Sequence, residues 1–184
     1  MARIPYPETA ALTDKVRTRV EQLPPLNILR MLSHAQANFI PFLAFGSSIL
    51  SEQDLDAKLR ELAILRVAHL TGANYEWTQH VPIARQCGAS DAQLAAISEG
   101  SASAAFNDLE KKVLDFTDEL TQNVRVSEAT FQALAALLPH RQLVELTLAT
   151  GFYGLAARVM EVFEVELEPS AGTYTLETLQ PKKD

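Results

Sequence analysis

Apolar residues recur at three- and four-residue steps along most of this chain, and no segment alternates at period two with β-branched side chains. The pattern predicts helices and no sheet. Pro5 and Pro7 keep the first residues extended. A polar helix follows over about 10–22, with Leu12, Val16 and Val20 as a narrow apolar stripe, and Pro24 and Pro25 stop it. Residues 26–50 carry Leu29, Leu32, Phe39, Phe42, Leu43, Phe45 and Ile49. Pro41 interrupts them, which predicts a kinked helix or two short ones. Asn27, Arg30 and His34 share the polar side of the first part, as surface or as a pocket wall.

Ser51, Asp54 and Asp56 are capping candidates for a central pair of helices. Leu59, Leu62, Ile64 and Leu65 mark the first of the pair, Gly72 closes it, and a second helix opens at Ala73. Ser90 begins a short helix ended by Gly100, followed by a loop of small residues. Asn107 or Asp108 caps a helix from about Leu109 to Gln122, Ser127 opens another over 128–138, and Pro139 precedes a long one over about 141–163. The expected architecture is an all-α domain of about eight helices over residues 1–168, with a tail at 169–184 that is loose or laid on a partner. A weak internal repeat supports this. At an offset of 81, Arg60, Leu62, Leu65 and Ala68 fall on Arg141, Leu143, Leu146 and Ala149, while Glu61, Glu76 and His80 meet Gln142, Ala157 and Glu161.

Composition narrows the function classes. With 184 residues, 47% of them hydrophobic, one domain with a sizeable core is expected. Sixteen Lys and Arg against 23 Asp and Glu disfavour nucleic acid or an anionic membrane as partner. One cysteine, Cys87, excludes an intrachain disulfide, a redox cysteine pair and a cysteine-rich zinc site. No signal-peptide-like run opens the chain and no 18 consecutive apolar residues occur, so a cytoplasmic setting is expected.

The chemistry-bearing residues concentrate in KLRELAILRVAHLTGANYEWTQHVPIARQCG, from Lys58 to Gly88. Glu76 and His80 are four residues apart and share one helix face. A tight antiparallel pairing of the two helices carries Glu61 alongside His80. Taken alone, a Glu and a His at that spacing are more often an ordinary surface pair than a site. Pro82 withdraws a backbone donor and frees the carbonyl of Thr78 beside them.

This stretch, and more loosely FYGLAARVMEVFEVELEP near the end, resembles the carboxymuconolactone decarboxylase superfamily, which includes the alkylhydroperoxidase D-like proteins. In the peroxidase branch a glutamate is followed, about eleven residues on, by Cys-x-x-Cys and then by a histidine four residues after the second cysteine. Laid on this chain, the pattern puts the glutamate at Glu61, the histidine at His80, and Ala73 and Glu76 at the two cysteine positions. Hydroperoxide reduction by a thiol pair is thereby disfavoured. The decarboxylase branch carries a glutamate and a histidine at the Glu76 and His80 positions and uses no cofactor.

The resemblance implies an alkylhydroperoxidase D-like helical fold, assembly as trimers or hexamers, and cofactor-free decarboxylation or related acid/base chemistry, such as isomerisation, on a small organic acid or lactone. His80, Glu61 and Glu76 are the expected catalytic residues, with His80 as the proton donor to carbon. Arg66 or Arg85 is expected to meet a substrate carboxylate, and Tyr75 and Trp77 to form an aromatic wall; pairing of Arg66 with an acid and core packing of the two aromatics are the plain alternatives. Three rival readings remain at this point: an alkylhydroperoxidase-like antioxidant protein, a metal held by the two glutamates and the histidine, and an oligomeric protein that binds a small molecule without turning it over.

Overall fold

Ten consecutive residues, Leu59 to Ala68, are buried, so the helix that carries them must be enclosed on every side. In the computed structural model, which describes residues 1–169 and 171–174, that helix is the hub of an all-helical fold. Nine α-helices and no strand are present among the described residues. They are α1 (Asp14–Glu21), α2 (Asn27–Leu32), α3 (Gln36–Ser51), α4 (Ala57–Thr71), α5 (Asn74–Gln86), α6 (Asp91–Ala96), α7 (Asp108–Asn123), α8 (Glu128–Ala135) and α9 (His140–Phe163), with 3-10 helices at Thr9–Ala11 and Ile97–Ala102.

The hub is α4, which packs against α5, α7 and α9. Leu59 and Ala63 meet Val113, Phe116 and Leu146 on one side. Leu62 and Leu65 meet Ala84, Ile97 and Leu114 on another, and Ile64 and Val67 meet Ile49, Ala149 and Phe152 on a third. Each fully buried Leu or Ile contributes about 1.5–3 kcal/mol, so this helix anchors the core. Its ends are set locally. Asp56 accepts a bond from the Leu59 N–H at 3.0 Å, and Gly72 takes the left-handed conformation that lets α5 turn back along α4. Reciprocal caps open α6 (Ser90 with Gln93) and α7 (Asn107 with Glu110). With its length and hydropathy α9 resembles a membrane span, yet most of it is buried against the rest of the fold, as in the core helix of a globular domain.

Two boundaries differ from the sequence reading. The break in 26–50 falls at Ser33 to Ala35, and Pro41 lies inside α3. Its missing N–H leaves only the carbonyl of Ala37 unpaired within the helix, and Ala37 is exposed to water. The polar helix over 10–22 is a 3-10 turn and then α1, because Thr13 turns its N–H to Gln36 Oε1 at 2.6 Å.

The tail expected at 169–184 is only partly in view, since 170 and 175–184 lie outside the described residues. What is described rests on the chain's own α5: Gly172 N–H donates to Gln79 Oε1 at 3.2 Å, close to the Thr78 carbonyl that Pro82 frees.

Gly100 has φ 62° and ψ −143°, and a Cβ there would lie 2.8 Å from a terminal nitrogen of Arg66. The backbone region is nearly exclusive to glycine, and the guanidinium needs the space. Gly100→Ala is expected to lower stability by about 1–3 kcal/mol in urea unfolding monitored by circular dichroism, with the helical content of the folded state unchanged.

Candidate active site

The antiparallel pairing of α4 and α5 brings Glu61 to His80. Glu61 has no exposed surface, and its Oε2 lies 2.8 Å from His80 Nδ1; its Oε1 accepts from Arg60 Nε at 3.2 Å. A carboxylate oxygen only accepts, so Nδ1 carries a proton and donates it to Glu61, which leaves Nε2 as the ring nitrogen free of that bond. The ring is fixed further by Tyr153 of α9, edge-on with centroids 4.7 Å apart.

One turn before His80, Glu76 is 2% exposed, and neither of its carboxyl oxygens has a hydrogen-bond partner among the described residues. Burial, and then the charges of Glu61 and Glu161, hold this carboxyl well above the ordinary value of 4.5, which favours its protonated form, an O–H donor. Burial with Glu61 and Glu76 also raises the Tyr153 phenol, which stays protonated.

Glu76 and His80 line a cavity of about 200 Å³ between α1, α2, α3, α5 and α9. Its walls are mainly apolar, with Leu29 and Leu32 from α2, Leu43 from α3, and Phe152 and Met160 from α9. Gly46 of α3 makes room for Phe152, whose ring would stand 2.8 Å from a Cβ at that position. Tyr75 and Gln79 complete the α5 face. Both are held from behind by Glu168, which accepts from Tyr75 Oη at 2.8 Å, from Gln79 Nε2 and from the Asn27 backbone N–H at 3.0 Å.

A scan of family models matches residues 39–119 to the carboxymuconolactone decarboxylase family. Residues 39–119 form a carboxymuconolactone decarboxylase family domain. The fold is alkylhydroperoxidase D-like, and the chain has one cysteine and hence no Cys-x-x-Cys pair. No curated protein matches the chain in sequence. Solved structures share the fold. A protein from Ralstonia eutropha JMP134, described as an alkylhydroperoxidase AhpD core and an uncharacterized peroxidase-related protein, superimposes with a TM-score of 0.81 at 21% identity, over 98% of both chains. An uncharacterized peroxidase-related protein from Silicibacter sp. TM1040 gives 0.77 at 18% identity over 92% of each chain. A protein of unknown function from Agrobacterium tumefaciens, described as a putative antioxidant defence protein AhpD, gives 0.68 at 21% identity over 73% of this chain and 95% of its own.

Within this family domain the sequence-predicted residues separate into groups. His80, Glu76 and Tyr75 line the cavity; Glu61 does not, and stands behind His80 as its orienting carboxylate. Arg66, expected at a substrate carboxylate, lies elsewhere. It is buried between α4 and α7, donates to both oxygens of Asp118 at 2.5 and 2.7 Å, and donates to the carbonyls of Ile97 and Ser98. Arg85 pairs with Asp91. Trp77 points away from Glu76 and packs beside the cluster built on Leu62 and Leu65, because adjacent helix positions diverge by about 100°. Among the described residues, no three metal-capable side chains are placed to hold an ion.

Cys87 is half-buried at the end of α5, outside the cavity lining, and burial, followed by the charge of Glu61, pushes its thiol up, away from the reactive thiolate. Asn27, Arg30 and His34 face the chain's ends instead of the cavity: Asn27 donates to the Glu166 carbonyl, Arg30 lies over the Tyr6 ring and His34 meets the Pro5 carbonyl. Sequence reasoning missed Tyr153, Gln79 and Glu168. Tyr153 carried a signal, as a phenol on the apolar helix FYGLAARVM, whereas Glu168 reads as one more acid in a polar segment.

An acid whose folded-state pKa is raised stays protonated in the folded chain where the unfolded chain has already ionised. Stability is then lost as pH rises from the ordinary carboxylate value towards the raised one, at about 1.4 kcal/mol per pH unit where the two states differ by one proton. Glu76→Gln removes this term while keeping shape and donor. The variant is expected to be more stable than wild type at pH 7–8, with the gap closing as pH falls to about 4.5, measured by urea unfolding across that range.

Proposed function

We propose that this domain is a cofactor-free acid/base enzyme acting at a carbon next to a carbonyl group. The observation that supports this is a buried carboxyl held towards its protonated form, Glu76, and an imidazole, His80, on one face of one helix and lining one small apolar cavity. A carboxylic acid and an imidazole side by side are the arrangement that general acid/base catalysis needs.

In the reaction, His80 Nε2 takes the proton from the α-carbon while the Glu76 O–H donates to the carbonyl oxygen, forming an enol, an imidazolium and a Glu76 carboxylate. Glu61 stabilises the imidazolium through Nδ1, and the two new charges lie within one helical turn of each other. Where the substrate has a β,γ-double bond the enol is a dienol, and reprotonation at its γ-carbon with return of the enol proton to Glu76 completes an isomerisation, with every proton returned and no oxidant consumed. Tyr153 supplies a second protonated donor beside the ring.

Decarboxylation of a β-keto acid or lactone acid passes through the same enol, with carbon dioxide leaving instead of the α-proton, and His80 taking the proton of the substrate's carboxylic acid and delivering it to carbon. It is the second reading. The deep end of the cavity has no Arg or Lys, so a substrate carboxylate placed there would be desolvated without a counter-charge. Isomerisation asks for no such group. An antioxidant role through thiol chemistry has no second thiol to resolve the first.

We further propose that the domain works as a homo-oligomer. Val144, Leu148, Leu155 and Val162 are exposed along α9 at steps of four and seven residues, with exposed Gly151 between them, which makes one apolar face for a second copy.

The first test is α-proton exchange in deuterium oxide by NMR, with double-bond migration and carbon dioxide release followed in parallel, over a panel of medium-chain ketones, enones, lactones and β-keto acids. His80→Gln is expected to lower the wild-type rate by about 10²- to 10⁴-fold with the fold intact. A variant as fast as wild type, or no turnover of any compound by wild type, would overturn the catalytic reading and leave a binding protein. For the assembly, light scattering is expected to give a mass well above 20.3 kDa, and Leu148→Glu with Leu155→Glu is expected to reduce it.

A further inference from the structure

The cavity is chemically polarised along its length. At its buried end Glu76 and His80 are 2% and 7% exposed, and both oxygens of Glu76 are without a partner among the described residues. At its outer end it is lined by Arg19, half-buried in the last turn of α1, and by the exposed Ser47 and Ser51 of α3. Between the two ends lie apolar side chains, among them Leu23, Leu29, Leu50 and Phe152. Among the described residues lining the cavity, Arg19 is the one Arg or Lys.

Each end selects a different chemical group. A neutral carboxylic acid offers one donor to an acceptor such as a carbonyl oxygen, and an ionised ligand group beside buried Glu61 would cost far more than it gains. The apolar middle takes hydrocarbon. A guanidinium on a partly wet rim takes an anion, through charge-assisted bonds roughly twice as strong as neutral ones. A volume of 200 Å³ holds about seven groups the size of a water or methylene.

We infer that the site takes a medium-chain carboxylate of about six to eight carbons that carries a neutral carbonyl towards its far end, bound carbonyl-first, with its carboxylate at Arg19. This rests on the acid/base reading for what happens to the carbonyl, and it adds that the carboxylate is a handle retained through the reaction. The acid and the reacting carbonyl stand at opposite ends of the ligand, which separates this substrate class from β-keto acids.

The test is calorimetric titration with octanoate, 1-octanol and octyltrimethylammonium, all below their micelle concentrations. Octanoate is expected to bind about tenfold more tightly than octanol, and the cation most weakly. Arg19→Gln is expected to bring octanoate down to the octanol value while leaving octanol unchanged, and Glu76→Gln to keep the head-group preference. Equal affinity of octanoate and octanol, an octanoate preference that survives Arg19→Gln, or binding of none of the three would overturn the inference. Its failure is distinct from that of the catalytic reading. Head-group selectivity without His80-dependent proton exchange would sink the chemistry and keep the ligand class; exchange without selectivity would do the reverse.

Discussion

A carboxylate with no exposed surface must be compensated where it lies, and Glu61 imposes that condition on the whole fold. Its charge sits on the helix that every major partner encloses, so the compensation comes from Arg60 beside it and His80 across the helix pair. The left-handed turn at Gly72 exists to bring α5 back at the height where that contact forms. Once His80 is held by Nδ1, its other nitrogen and the Glu76 side chain are committed to the same side of α5, and the cavity has to lie there. Glu61 reaches one step further, because its charge helps to raise the Glu76 carboxyl. One buried anion thus orients the imidazole and shifts the carboxyl one turn away from it.

Much of this was legible in the chain. The helix boundaries followed from Gly72, Ser90, Asn107 and Pro139, and the i, i+4 spacing of Glu76 and His80 placed them together. Proline was the misleading signal. Pro41 suggested a break, but a helix tolerates proline where the freed carbonyl faces water, and the chain broke instead at Ser33 to Ala35, where Ser33 turns its hydroxyl back to the Arg30 carbonyl. Proximity in sequence also misled. Arg66 and Trp77 stand near the acid and histidine in the chain but on other faces of their helices, and a helix face separates neighbours by more than the chain does. Tyr153, Gln79 and Glu168 depend on tertiary placement, which spacing within one helix does not encode.

The structural neighbours described as peroxidase-related share this scaffold at 18–21% identity, which speaks to fold alone. In the superfamily's peroxidase pattern, the two positions that hold thiols fall here on Ala73 and Glu76. A thiol pair is therefore absent from these positions, and a carboxyl stands on the same helix. The scaffold supplies a buried helix face and an apolar cavity, and the side chains placed there set the chemistry open to it.

Burial is the first cause of the raised Glu76 carboxyl, and much of what encloses the cavity comes late in the chain. Glu168 lies 93 residues after Tyr75, whose hydroxyl it receives, and the last helix that walls the cavity with Phe152, Tyr153 and Met160 comes equally late. During vectorial synthesis, α4 and α5 emerge long before those partners exist. In that interval Glu76 stands in water and is an ordinary ionised carboxylate. Its carboxyl is raised only when the later chain closes over it, so that character is made by assembly of the fold and not by the residue itself.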